Sequence, residues 1–182
     1  MITQIVILVV LILLNAYFAA SEIAFISLND TKIEKQAKEG NKKAKQIQKM
    51  LKNPSEFLAT IQIGITLAGF LSSAFASDAF ADILAPALYK IFPMISIQAF
   101  KGISIVLITI ILSFFTLVFG ELVPKRLAMK YYEKIAFSSI GVIRFLSIIT
   151  LPFVKVLSAV TNFISKLFGI SENEEEVVTE EE

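Results

Sequence analysis

At 182 residues the chain has the length of one soluble domain, but 55% of it is hydrophobic and its mean hydropathy is +0.73, beyond the roughly 45–50% apolar content of soluble domains. It has no cysteine and no histidine, which excludes disulfides, structural zinc and histidine-based catalysis. The formal net charge of +1 points to no partner through bulk electrostatics, yet it hides a segregation: residues 32–52 hold eight lysines and residues 171–182 hold seven of the sixteen acids.

The hydrophobic residues come in long blocks, and those over 1–28, 57–83 and 102–123 reach the ~20 residues that a bilayer core requires. No Lys or Arg precedes Lys32, so the first block lacks the basic flank of a cleaved signal peptide and reads as a span. Asn15 and Glu22 are its conspicuous polar residues. The linker that follows, TKIEKQAKEGNKKAKQIQKMLKNPSEF, predicts a helix over 32–52 that ends at Asn53-Pro54-Ser55. Spans two and three are separated by a stretch with only Lys90 and Lys101. The positive-inside rule therefore puts the lysine-rich linker in the cytoplasm and the N-terminus outside. Three spans return the chain to the cytoplasm, in keeping with Lys125, Arg126, Lys130 and Lys134 after span three. The linker reads either as a solvated helix that only sets topology or as one that also grips anionic lipid heads, at roughly 1 kcal/mol per cation.

In span two, Gln62, Thr66, Gly69 and Ser73 fall at offsets of 0, 4, 7 and 11, one narrow helix face, with Ser72 beside it. Thr109, Ser113, Thr116 and Gly120 make a similar stripe in span three. Small and hydroxyl residues at this spacing suit close packing of membrane helices, and they suit an ion path equally well. Residues 135–168 are apolar enough for a fourth span. However, Arg144, Lys155 and Lys166 recur every eleven residues, on one side of a helix, and Pro152 interrupts the run. This predicts two short helices in or dipping into the cytoplasmic leaflet, basic side toward the headgroups.

Acids inside a membrane are expensive and face a cavity or a partner. Glu22, six residues before the end of its span, either pairs with a lysine near the membrane edge or serves a cavity. Glu121 stands in FGELVPKR, residues 119–126. Pro124 has no N–H and its ring crowds the carbonyl of residue 120. Gly120 thus keeps a carbonyl without its usual helical donor, next to a carboxylate, on a residue with no side chain to block approach. Carbonyls and carboxylates at a broken membrane helix suit a hard cation. The bland alternative is a proline kink near a cytoplasmic end. A set of oxygen donors without His or Cys disfavours zinc and copper. No nucleophile–base spacing stands out, so an enzyme is not expected.

Three stretches carry a family resemblance: NAYFAASEIAF (15–25), FLATIQIGITLAGFLSSAFA (57–76) and FGELVPKRLA (119–128). In order and with suitable gaps, they resemble the signature stretches of the transmembrane domain of unknown function 21 (DUF21), found in the CorC and cyclin M (CNNM) magnesium transporters and hemolysin-related proteins. The resemblance implies an all-α integral membrane domain over residues 1–170, homodimeric, with three spans per subunit and a belt of juxtamembrane helices. Residues 171–182 would open a connector to cytoplasmic domains, and nucleotide would bind only there. It also implies magnesium export coupled to sodium entry, with a dehydrated Mg2+ in an inward-facing cavity. Carried onto this sequence, the ligands are Glu121 and the Gly120 carbonyl, Ser72 and Ser73 from span two, and Ser27 and Ser21 from span one. Glu22, Thr66, Gly69, Asn15 and Pro124 would line or support the cavity. Ala19 and Ala20 stand where many relatives have serine or glycine. The expected partners are a second copy and the lipid bilayer, with no nucleic acid, and the expected location is the cell membrane. The rival function is a magnesium-sensing scaffold that regulates a partner without transport.

Overall fold

The computed structural model of the chain describes residues 2–94 and 96–168, with the backbone alone for Ser77 and Asp78. The acidic stretch 171–182 lies outside the described residues. Every regular element among the described residues is helical: α1 (Ile2–Ile26), α2 (Asp30–Lys38), α3 (Lys42–Leu51), α4 (Pro54–Ile91), α5 (Ile97–Leu117) and α6 (Val123–Leu167), with a π-helical turn, Val118–Leu122, joining α5 to α6. Three helical stretches are long and apolar enough to cross a membrane, starting at Ile2, Pro54 and Ile97.

The linker departs from the single helix expected over 32–52. Gly40 takes φ +96, a left-handed conformation that ends one helix before the next begins. Asn29 caps α2 by accepting from the Lys32 N–H at 2.9 Å. Asn41 restarts the chain as α3, its Oδ1 accepting from the Lys43 and Ala44 N–H groups. Neither helix is solvated all round, because Ile33, Ala37, Ala44 and Ile47 are buried. Lys32 pairs with Glu133, and Lys43 Nζ donates to the Phe137 carbonyl at 2.8 Å, so both helices dock on α6.

Helix α4 starts with Pro54 in its first turn, where the missing N–H costs nothing. At 38 residues it is about 57 Å long at 1.5 Å per residue, well beyond the ~30 Å hydrocarbon core. The expected span 57–83 lies within it. Helix α5 begins at Ser96, whose Oγ accepts from the Ala99 N–H.

In α6 the break falls elsewhere than expected. Tyr131 alone has non-helical dihedrals (φ −119, ψ 29), and the helix runs through Pro152 to Leu167. Residues 135–168 therefore hold one long helix in place of two short ones. A proline removes one hydrogen bond and bends a helix, but ending it also takes a capping residue, and Ile148-Ile149-Thr150-Leu151 offers no Gly or Asn. Ala136, Ser139, Ile140, Ile143, Thr150 and Val154 are buried along one face, while Arg144, Lys155 and Lys166 are exposed.

The packed core sits at the C-terminal end of α1. Phe25, Ile33, Ile47, Phe57, Ile61, Ile140 and Ile143 bring five helices together there, and the Phe25 and Phe57 ring centroids are 5.0 Å apart. Toward the other end, Ile5, Val6, Val9, Val10 and Leu13 of α1 and Val106, Ile110 and Phe114 of α5 are exposed. That apolar surface has its natural solvent in lipid acyl chains.

Candidate cation site

The N–H that would close an α-helical bond to the Gly120 carbonyl belongs to residue 124, a proline, so the donor does not exist. The helix absorbs the loss as a π turn, in which the Val123 N–H reaches back five residues to the Val118 carbonyl. The Gly120 carbonyl is nevertheless not bare, which corrects the expectation of a free oxygen. Asn15 Nδ2 of α1 donates to it at 3.0 Å. A Cβ at position 120 would lie 3.1 Å from Asn15 Nδ2 and 3.5 Å from the Ile12 carbonyl oxygen, so close approach of α1 explains the glycine. The bond also commits the amide. Asn15 is 3% exposed, and with Nδ2 spent on Gly120 its Oδ1 is buried without a hydrogen-bond partner. An orphaned buried acceptor costs about 1–3 kcal/mol, so this oxygen is primed for a positive ligand.

The two acids meet on one lysine. Lys125 Nζ lies 3.0 Å from Glu121 Oε1 and 3.1 Å from Glu22 Oε2, with all three side chains only 22–33% exposed. Glu121 and Lys125 are one helical turn apart across the π turn, and Glu22 comes from the last two turns of α1. Lys125 is thus a member of the site that the sequence reading treated only as a topology charge. The signal for it was the i,i+4 spacing from Glu121. Among the described residues no three Asp, Glu, His or Cys side chains converge, so any cation here would rest largely on neutral oxygens.

The hydroxyl candidates do not share one place. Phe18 lies against Gly64 and Phe25 against Phe57, and both pairs sum to 82, so α1 and α4 run antiparallel in one register. Ser72 then sits level with Val10, about 7 Å along the axis from Asn15, while Ser21, level with Ile61, is about 16 Å from Ser72. Mg2+ holds its ligands at about 2.1 Å, so Ser21 and Ser72 cannot ligate one ion in this arrangement. Ser21 is buried with its Oγ donating to the Tyr17 carbonyl at 2.8 Å, and Ser27 is exposed in the turn after α1. Ser72 is 1% exposed with an unpartnered Oγ, and Ser73 is half-buried.

The buried face of α4 is Phe57, Ile61, Ala68, Ser72 and Ala76, not the stripe of Gln62, Thr66, Gly69 and Ser73. Gln62 and Thr66 instead line a cavity of about 1060 Å3 between α4 and α6, with Thr150, Asn162 and Lys166. Gly69 has open space where a Cβ would stand. Both faces repeat at helical spacing and both carry small residues, so periodicity could not choose between them.

Three helical stretches long and apolar enough to cross a membrane, with a buried Asn15 joined to Gly120 at a π turn, define a polytopic membrane protein. The chain belongs to the cyclin M transmembrane N-terminal domain family, whose family model matches residues 6–182. It is 39% identical over 173 residues to UPF0053 protein sll0260 of Synechocystis sp., covering 95% of this chain and 38% of that protein. Against UPF0053 inner membrane protein YfjD of Escherichia coli it is 30% identical over 157 residues, or 86% of this chain and 33% of the relative. A protein of Haemophilus influenzae named Polyamine export protein is 27% identical over 175 residues, 96% of this chain and 40% of that protein. The chain thus spans two fifths or less of the length of these relatives.

Proposed function

We propose that this domain binds a dehydrated Mg2+ within the membrane and carries it across, as an exporter coupled to sodium entry and working as a homodimer in the cell membrane. The observation that supports this reading is the pairing of α1 with the π turn: Asn15, whose Oδ1 is orphaned, donates to the Gly120 carbonyl, and the residue after Gly120 in that turn is Glu121. These are hard oxygen donors, and hard oxygens favour Mg2+, Ca2+ or Na+ over softer metals. Asn15 accordingly joins Glu121 and Gly120 as a ligand, with Ser72 offering a buried, unpartnered hydroxyl on α4. Ser21, Ser27 and Ser73 belong to the ligand set only if helices move. The test is Mg2+ flux into proteoliposomes containing the protein and a magnesium-sensitive dye. Binding without flux would favour the sensing scaffold.

A second reading has its own observation in favour. The Glu22 and Glu121 pair already holds a primary ammonium, that of Lys125, and one relative bears the name of a polyamine exporter. Uptake of labelled putrescine by the same vesicles separates the two: amine flux without magnesium flux would assign the site to alkylammonium cargo.

A further inference from the structure

We propose that Lys125 is a tethered counter-cation, which a substrate cation must displace from Glu22 and Glu121 in order to bind. The inference rests on the cation-transport reading above and deepens it. Lys125 Nζ donates to Glu121 Oε1 at 3.0 Å and lies 3.1 Å from Glu22 Oε2, an ion pair with each acid. A divalent ion on Glu121 would put a second positive charge within a few ångströms of that ammonium, in surroundings that screen poorly. The two cannot both hold the carboxylates.

The side chain is built for exchange. Lysine is a compact charge on a flexible four-carbon stem. Its anchor is the first turn of α6, immediately after the π turn, where the following residue, Arg126, is exposed. Glu22 and Glu121 remain partly exposed too, so the ammonium is not sealed in by the packed helices.

The arrangement answers a problem that every carrier with intramembrane acids must meet. Once cargo leaves, two bare carboxylates in a poorly polar site are expensive. An ammonium that returns from the same chain offsets half of that charge with no proton taken up. Lys125 would then lower the apparent affinity for cargo and speed its release.

Two measurements test this on the intact protein in detergent or lipid. The first is acylation of Lys125 by an amine-reactive reagent, read residue by residue by mass spectrometry, with and without Mg2+. Displacement predicts at least a severalfold rise in Lys125 labelling at saturating Mg2+, while Lys45 is unchanged. The second is Mg2+ titration of Lys125→Gln and Lys125→Arg. The Gln variant should bind at least tenfold tighter, and the Arg variant should stay near the parent. Unchanged Lys125 labelling on Mg2+ binding overturns the proposal even if Lys125→Gln fails to fold, because the parent alone is needed. Weaker binding by a folded Lys125→Gln also overturns it and makes Lys125 a structural clamp. A parent that binds no Mg2+ overturns both this inference and the magnesium reading, whereas binding with static Lys125 overturns only this one.

Discussion

At the scale of single residues, the site turns on which oxygens have lost their donors. Pro124 removes one from Gly120, and Asn15 supplies it from 105 residues away. The first half of that exchange is written locally in GELVPK and was legible in the sequence. The second was not, since no spacing rule links residues on different helices. Glu121→Gln removes the carboxylate nearest the π turn while keeping its size, and a divalent ion in low dielectric should bind more than roughly tenfold weaker. Asn15→Leu tests the new ligand. It removes a buried hydrogen bond and so should cost about 1–2 kcal/mol of stability, and it should weaken Mg2+ binding as well. Pro124→Ala restores a backbone donor that competes with Asn15 for Gly120, so its effect on binding should be milder than that of Glu121→Gln. Titration calorimetry on purified protein orders the three. Parent-like binding by Glu121→Gln would remove the core of the cation reading.

At the scale of elements, the three apolar blocks mark the three helices long and apolar enough to cross a membrane, because a bilayer core demands runs of ~20 apolar residues. Punctuation was harder to read. Pro152 looked like a stop and is none, whereas Gly40 divides the lysine-rich linker into two helices. The difference is physical: proline interrupts a single hydrogen bond, while a left-handed residue redirects the backbone. An added Cβ at position 40 would meet nothing within 4 Å, so the cost of Gly40→Ala is conformational alone, about 1 kcal/mol or somewhat more. Chemical unfolding in detergent should show that loss. It should leave cation affinity untouched, because the break lies in the docked linker. A stabilised Gly40→Ala would mean that α2 and α3 prefer to be one helix. The amphipathic docking of these helices escaped composition because lysine dominates it, although Ile33, Ala37, Ala44 and Ile47 mark the buried face once spaced on a helix.

At the scale of the whole molecule, topology and assembly follow from charge and surface. The exposed apolar residues of α1 and α5 are enough to contact lipid, and one protomer encloses little around the π turn. A symmetric dimer is therefore expected, with light-scattering mass near twice the 20.2 kDa of one chain after subtraction of detergent. A monomer that still binds Mg2+ would show that the site is complete within one chain. Orientation has a sharper test. The core that joins α1, α2, α3, α4 and α6 carries the docked lysine-rich helices, and Lys45 is exposed on α3. At the other end Met94, between α4 and α5, is 98% exposed. Translocating eight lysines is disfavoured, so the α2–α3 layer should stay in the cytoplasm and the α4–α5 turn should face outward. The chain has no cysteine of its own, so single substitutions report without background. In intact cells a membrane-impermeant maleimide should label Met94→Cys and spare Lys45→Cys, and permeabilising the cells should bring Lys45→Cys up to the same level. Labelling of Lys45→Cys in intact cells would invert the orientation, and with it the direction in which Lys125 and the two acids open to water.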